Sequence, residues 1–411
     1  MKKSNFINCI SAFVYLIPAS LIIGAAVSEF FVSFAALLFL IYTIVYKDWF
    51  YYKKKIFIFL IIFFIYIVFV SLISEFPVNS LRSTLFYFRF YLMFLAIWFL
   101  LDQNKNFPKY FLLSIILPLT ACFFYSLGDI YNSIRFETKV ADYRISGLFG
   151  TELIQGSYFI RFLILFLGVY ALVNNNFKNK FIYYSIFFVS IFIVLVSGER
   201  SSIGLLFIFL FLYFIFSEIK IIEKFKIFIC IIFITILSLS YLPGLKERIF
   251  DNTKTLIFEA EKIKVFSRGH QEHYESALKM SKKNMITGVG IRNFRLECRK
   301  AEYNYIGVNA CTTHPHNTYI QFLAETGIIG LIFILSIFLY FCKFLIVNFL
   351  TILKRQPINR PAVFFAIAIF INLFPLVPAG SFFNNWLSTL YYLPLAFFFY
   401  SLDKKKSDYD I

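Results

Sequence analysis

The stretch KKKIFIFLIIFFIYIVFVSLI, residues 53–73, decides the class of this protein. After three lysines it runs on without a charge, and at about 1.5 Å per residue such a helix crosses the ~30 Å core of a bilayer. Its apolar residues are continuous and do not alternate, so the run reads as a helix and not as a barrel strand. Similar runs recur along the 411 residues. The composition agrees, being 60% hydrophobic, 22% aromatic and only 15% charged, against about 25% charged in soluble domains. The chain reads as an all-α, polytopic membrane protein with about twelve transmembrane helices. Expected spans are 6–24, 28–46, 56–73, 83–101, 110–128, 152–173, 181–197, 201–217, 226–242, 320–346, 362–378 and 386–402.

The lysines that open the quoted stretch belong to a pattern. Lys2 and Lys3 precede the first span. Lys47 and Lys53–Lys55 follow the second, Lys105 and Lys109 the fourth, Lys178 and Lys180 the sixth. Lys220, Lys224 and Lys226 follow the eighth, Lys354, Arg355 and Arg360 the tenth, and Lys404–Lys406 the last. Every second connection is basic, which the positive-inside rule makes cytoplasmic. Both termini are then expected inside. The net charge of +17 is this topology signal together with attraction to anionic membrane lipids, and it is no argument for nucleic acid. No cleavable signal is expected, because the first run leads straight into further spans.

By the same rule the one long polar segment lies outside. The chain divides into residues 1–242 with nine spans, a partly helical outer loop at 243–316, and residues 317–411 with three spans and a cytoplasmic tail. A loop of that length in a compact unit is usually functional. It reads as two helical pieces, near 246–266 and 267–283, the second capped by Ser267 with Arg268 in its first turn. On that piece His270, Tyr274, Ala277 and Leu278 are expected on one side. Gly288-Val289-Gly290 then signals a turn. Cys298 and Cys311 both fall in the loop, and an oxidising compartment makes them a candidate disulfide.

All four histidines, His270, His273, His314 and His316, are confined to this segment. Imidazole is the side chain that titrates nearest neutral pH. Four imidazoles are a set that zinc accepts, but the zincin spacing His-Glu-x-x-His is absent and Asn317 fits no common zinc set. A purely structural role, capping and orienting the next span, is the bland alternative. The sharper reading is a general base at the membrane surface, kept neutral by neighbouring arginines. The arginines are Arg82 and Arg89 two turns apart on one face of the fourth span, Arg161 inside the sixth, Arg200 at the turn before the eighth, and Arg268. An arginine in a span costs roughly 2.5–3.5 kcal/mol on insertion scales and so tends to face a polar cavity or a partner. Guanidinium pairs bidentately with phosphate, and a lipid diphosphate suits such a sink of positive charge. Glu325 stands at the mouth of the tenth span, where a carboxylate can orient a sugar hydroxyl or pair an arginine. Gly327-Ile328-Ile329-Gly330 after it reads as ordinary helix packing.

His314-Pro315-His316-Asn317-Thr318-Tyr319-Ile320-Gln321, followed by Glu325-Thr326-Gly327-Ile328-Ile329-Gly330, resembles the signature of the O-antigen ligase and polymerase superfamily. Ser197-Gly198-Glu199-Arg200-Ser201 resembles its arginine turn. Ser267-Arg268-Gly269 and Gly288 through Phe294 resemble the start and end of its periplasmic helix. Glu199 departs from the pattern, since the family often has a small or hydroxyl residue there. The resemblance implies an inverting, metal-independent glycosyltransferase without a cofactor. Its donor would be a glycan on undecaprenyl diphosphate, and its acceptor the lipid A-core oligosaccharide. It further implies a Gram-negative inner-membrane protein with its active site in the periplasm. Carried over by position, Arg200 and Arg268 bind the diphosphate and His316 is the base. His314, Asn317, Arg82, Arg89, Arg161 and Glu325 are the candidate substrate contacts. A polymerase joining lipid-linked repeats and a protein-directed oligosaccharyltransferase remain open. A transporter would show two similar halves with ionisable groups at mid-bilayer, and no such repeat is visible.

Overall fold

A computed structural model describes residues 2–135, 143–173, 180–251, 254, 266–304, 306–307 and 310–407. The described residues form helices and connections, with no strand among them. Nine helices come first: α1 (Lys3–Ile23), α2 (Ala25–Tyr46), α3 (Lys55–Ile73), α4 (Pro77–Gln103), α5 (Phe107–Arg135), α6 (Gln155–Val173), α7 (Lys180–Val196), α8 (Arg200–Phe216) and α9 (Ile221–Tyr241). The polar segment contributes α10 (Arg268–Lys283). Then come α11 (Thr318–Leu353), α12 (Arg360–Asn372) and α13 (Asn385–Ser407). Each expected span overlaps one of these helices. Seven of them, α1–α6 and α11, are long and apolar enough to cross a membrane, and α9 joins them if counted with the bent helical turn after it. The protein is a polytopic, all-helical membrane protein. Most of the first expected loop helix, 246–266, lies outside the described residues.

Sequence decides which helices are central. α4 is buried continuously from Phe90 to Leu101 and α6 from Gln155 to Ile160 and from Phe162 to Tyr170; α12 buries Ala362 to Ile369. A helix apolar all round belongs in the middle of a bundle. α9 is the opposite case, burying only Ile227, Ile231 and Ser238 and exposing Phe225, Phe228 and Phe233. Such bare apolar faces belong against lipid, where intrahelical bonds satisfy the backbone.

The bundle has a lysine end and a histidine end. At the first, Lys54 pairs with Asp403 at 2.6 Å, and Tyr51 donates to Asp102 at 2.8 Å. At the second, Asn79 donates to Asn293 at 2.8 Å. Groups assigned to one side by the lysine pattern therefore meet at one end.

Two helices depart from their expected course at the histidine end. α12 stops at Asn372 although the apolar run was expected to reach 378. Pro375 and Pro378 withhold donors that a continued helix needs. Instead Tyr319 Oη donates to the Leu373 carbonyl at 2.6 Å and Asn317 Nδ2 to that of Pro375 at 2.9 Å. The Ala379 N–H reaches the His316 carbonyl at 2.9 Å. Residues 373–384 thus fold back over the start of α11.

α11 is itself interrupted, because Gly327 has φ 65°. Residues 285–290 run alongside the break. Val289 N–H donates to Ala324 O at 2.9 Å, Gly290 N–H to Glu325 O at 3.0 Å, and Ile328 N–H to Met285 O at 2.8 Å. A Cβ on Gly288, whose φ is 68°, would stand 2.7 Å from the Ala324 carbonyl oxygen. One on Gly327 would strike the backbone of Ile286. These two glycine motifs therefore form one clasp; Gly327 serves it, while Gly330 lies against Thr326 and Phe322 of its own helix.

Candidate active site

The clasp anchors a small apolar cluster of Ala277, Met280, Val289, Phe294, Cys298, Tyr303 and Ala324, which seats α10 on the first turns of α11. On α10 the buried side is carried by Tyr274, Ala277 and Met280, while Leu278 is exposed. Cys298 and Cys311 are joined by a disulfide with Cα atoms 5.0 Å apart. It closes the segment that leads into the turn His314-Pro315-His316.

Two helix starts therefore face each other, and they bring all four histidines together. The His316 ring lies 4.1 Å from that of His314, 5.3 Å from His273 and 5.4 Å from His270, centre to centre. Ser267 Oγ is 2.9 Å from His270 Nδ1 and so fixes that ring instead of capping the helix. His316 has φ 56°, a backbone state that histidine tolerates better than most residues. Asn317 caps α11, accepting from Tyr319 N–H at 3.0 Å and Ile320 N–H at 3.2 Å. Among the described residues no three His, Cys, Asp or Glu side chains are arranged to hold a metal ion.

Burial and mutual repulsion keep these rings neutral. Desolvation, then His270 and His273, lower His316 from 6.5 to about 4. Desolvation, with His316 next, lowers His314 to about 3. His270 is lowered too, by burial first and the Arg200 charge second. A neutral imidazole has a free lone pair at pH 7, which a general base requires.

Beside the cluster opens a cavity of about 1090 Å³. His270, His314 and His316 line it, as do Arg144, Arg161, Arg200, Arg248, Arg292 and Arg295, against the carboxylates of Glu152 and Glu199. Arg200 opens α8 and makes no hydrogen bond or ion pair among the described residues. Glu199 beside it turns away to α6, accepting from Ser157 N–H at 2.8 Å and from Ser201 Oγ at 3.1 Å. That leaves the Arg200 guanidinium without an internal counter-ion. Arg161 Nε donates to Asn372 at 2.6 Å, and its guanidinium lies 5.9 Å from the Trp386 ring centre. Arg248 Nε holds the turn by donating to Gly198 O at 2.8 Å.

Of the arginines singled out in the sequence, only Arg161 and Arg200 line this space. Arg268 stands at its rim beside Ser267 and His270, 76% exposed and bonded to Glu272 at 2.9 Å. Arg82 is exposed on α4. Arg89 is tied to Asn385 at 2.8 Å and to Glu29 at 3.8 Å. Glu325 is fully buried, its carboxylate accepting from Gln321 Nε2 at 3.0 Å and Phe294 N–H at 3.4 Å. It supports the clasp and does not line the cavity. Sequence reasoning missed Arg144, Arg248, Arg292 and Arg295. Arg292 lies inside the Gly288–Phe294 motif, with Arg295 next to it, so the motif itself pointed there. Arg144 and Arg248 carry no such mark, and only folding brings them in.

The arginine turn, α10, the clasp and the histidine turn fall within one sequence segment. Residues 185–335 match the family described as O-Antigen ligase. The match covers under half of the chain and supports its resemblance to the O-antigen ligase and polymerase superfamily. No curated protein matches it. The ligase and polymerase motifs are thus the parts that build the site. α8 brings Arg200, α10 brings His270 and His273, and α11 begins with His316. Helices outside the match complete the wall, with Arg161 from α6 and the 373–384 segment before α13. The family match supports an O-antigen ligase- or polymerase-like activity.

Proposed function

We propose that the protein is an O-antigen ligase. It transfers a glycan from undecaprenyl diphosphate to a hydroxyl of the lipid A-core oligosaccharide, at the periplasmic face of the inner membrane. The observation that carries this reading is a neutral histidine cluster opening onto a cavity rich in arginine. Displacement at an anomeric carbon needs a base for the incoming hydroxyl and cations for the leaving diphosphate. His316 takes the hydroxyl proton as the new carbon–oxygen bond forms on the face opposite the breaking one, so the anomeric centre inverts. Arg200, with Arg144 and Arg161, holds the diphosphate as its charge grows. Arg268 meets it at the rim. Guanidinium is permanently charged and can take this role without a divalent metal.

A polymerase of the same superfamily uses the same donor and is the second reading, favoured by the further arginines beside His314. The test is to delete the gene in its host and separate the lipopolysaccharide by size. Core without polymer, with polymer retained on its carrier lipid, supports the ligase. Core bearing a single repeat favours the polymerase, and an unchanged profile sinks both. Activity of the purified protein is expected to survive EDTA; loss reversed by zinc would revive a metal role for the four imidazoles.

A further inference from the structure

Arg144, Arg200, Arg292 and Arg295 line the cavity beside the histidine cluster. Within the cluster His316 neighbours both His270, at 5.4 Å, and His314, at 4.1 Å. Arg200 is the cation that acts on His270, and Arg295 the one that acts on His314.

Arg292 and Arg295 are not used by the donor chemistry. Among the described residues no carboxylate pairs with Arg292 or Arg295. Arg292 Nη1 reaches only Ser83 Oγ, at 3.4 Å, and Arg295 Nε is buried without a partner. Glu325 and Glu29 act on Arg292 from a distance, but Glu325 already accepts from Gln321 and Phe294. Both arginines line the cavity together with Thr313 and His314. Their backbone is held rigidly. Asn293 between them is fully buried and donates to Val289 O at 3.0 Å and Ser74 Oγ at 3.2 Å. Two adjacent guanidiniums facing one space without a carboxylate repel each other, and an anion in that space relieves the repulsion.

We propose that Arg292 and Arg295, in the lining they share with Thr313 and His314, form a second anion site, which takes a phosphate or diphosphate group carried by the acceptor. This rests on the reading of Arg200 and Arg144 as the donor's diphosphate site. The acceptor hydroxyl is then held between its own anionic group and the donor, next to the base. A sugar phosphate on the acceptor fits a ligase; a lipid diphosphate there fits a polymerase.

The test is calorimetric titration of the full-length protein, in nanodiscs of zwitterionic lipid, with inorganic pyrophosphate. Two sites per chain are expected. The double substitution Arg292→Gln/Arg295→Gln should leave one, and Arg144→Gln/Arg200→Gln should leave the other. Should the glutamine variants prove unstable, Arg292→Lys/Arg295→Lys keeps the charge without the fork and should weaken the second site at least tenfold. One site in the wild type, lost with Arg144 and Arg200 and unmoved by either change at Arg292 and Arg295, overturns the second site and leaves the donor reading standing. A site lost with Arg292 and Arg295 but insensitive to Arg144 and Arg200 overturns the donor reading alone. No binding removes both. Where two sites appear, preferential displacement at the second by inorganic phosphate identifies a sugar phosphate, and indifference identifies a lipid diphosphate.

Discussion

At the scale of the residue, the protein holds an imidazole that is neutral but poorly basic. His316 has a pKa of about 4 because burial and two neighbouring histidines disfavour its cation. Binding a diphosphate nearby adds negative charge, which favours the protonated ring and raises that value. With His316 as the proposed base the sign is fixed: the neutral form works, so activity should be present above the pKa and lost as pH falls through it. The free protein governs kcat/KM and the complex governs kcat. The acid limb of kcat/KM should therefore lie near pH 4, well below the ordinary 6.5, and that of kcat at higher pH. Coincident limbs at 6.5 would show that His316 is not the base. His316→Ala should lower kcat by about 100-fold or more, the usual contribution of a positioned base, with the protein still inserted. The histidines were visible in the sequence as four copies in one segment. What it did not carry was which arginines accompany them. Arg144 is brought in because Ile145 N–H bonds to Ser197 O at 3.2 Å, a contact between segments far apart in the chain.

At the scale of the element, the broken helix α11 positions the site. The apolar run after Asn317 was legible as a span, and Gly288-Val289-Gly290 as a turn, but neither shows that they clasp each other. Local patterns report local conformation, whereas at the interruption of Gly327 residues 285–290, distant in the chain, bond to the backbone on either side of it. Gly288→Ala and Gly327→Ala should each destabilise the protein. The left-handed φ alone costs about 1–2 kcal/mol for a residue with a Cβ, and the close backbone adds to it. Gly204→Ala is the matched control, since its Cβ would meet nothing nearer than Val377 at 3.7 Å. Thermal unfolding in detergent checks this; equal midpoints for the three variants would remove the clasp as a stabilising element. The early end of α12 follows the same logic. Its prolines were in view, but not that Tyr319 and Asn317 donate to the Leu373 and Pro375 carbonyls and hold the chain beyond it.

At the scale of the molecule, orientation decides which compartment supplies the acceptor. The lysine pattern was legible because each basic connection is local, and the fold adds that the two ends are physically separate. Lys53 lies at the end where Tyr51 meets Asp102, whereas Glu275 is exposed on α10 among the histidines. If the lysine end is cytoplasmic, a membrane-impermeant maleimide applied to intact spheroplasts should label Glu275→Cys and spare Lys53→Cys. Cys9, Cys122, Cys230 and Cys342 are free and would first be replaced by serine or alanine. Permeabilised membranes should then label both positions, which establishes that Lys53→Cys is reactive. The reverse pattern, Lys53→Cys labelled from outside and Glu275→Cys protected, would place the arginine cavity in the cytoplasm. A donor and acceptor displayed on the outer leaflet could not then reach His316, and the ligase and polymerase readings would fall together.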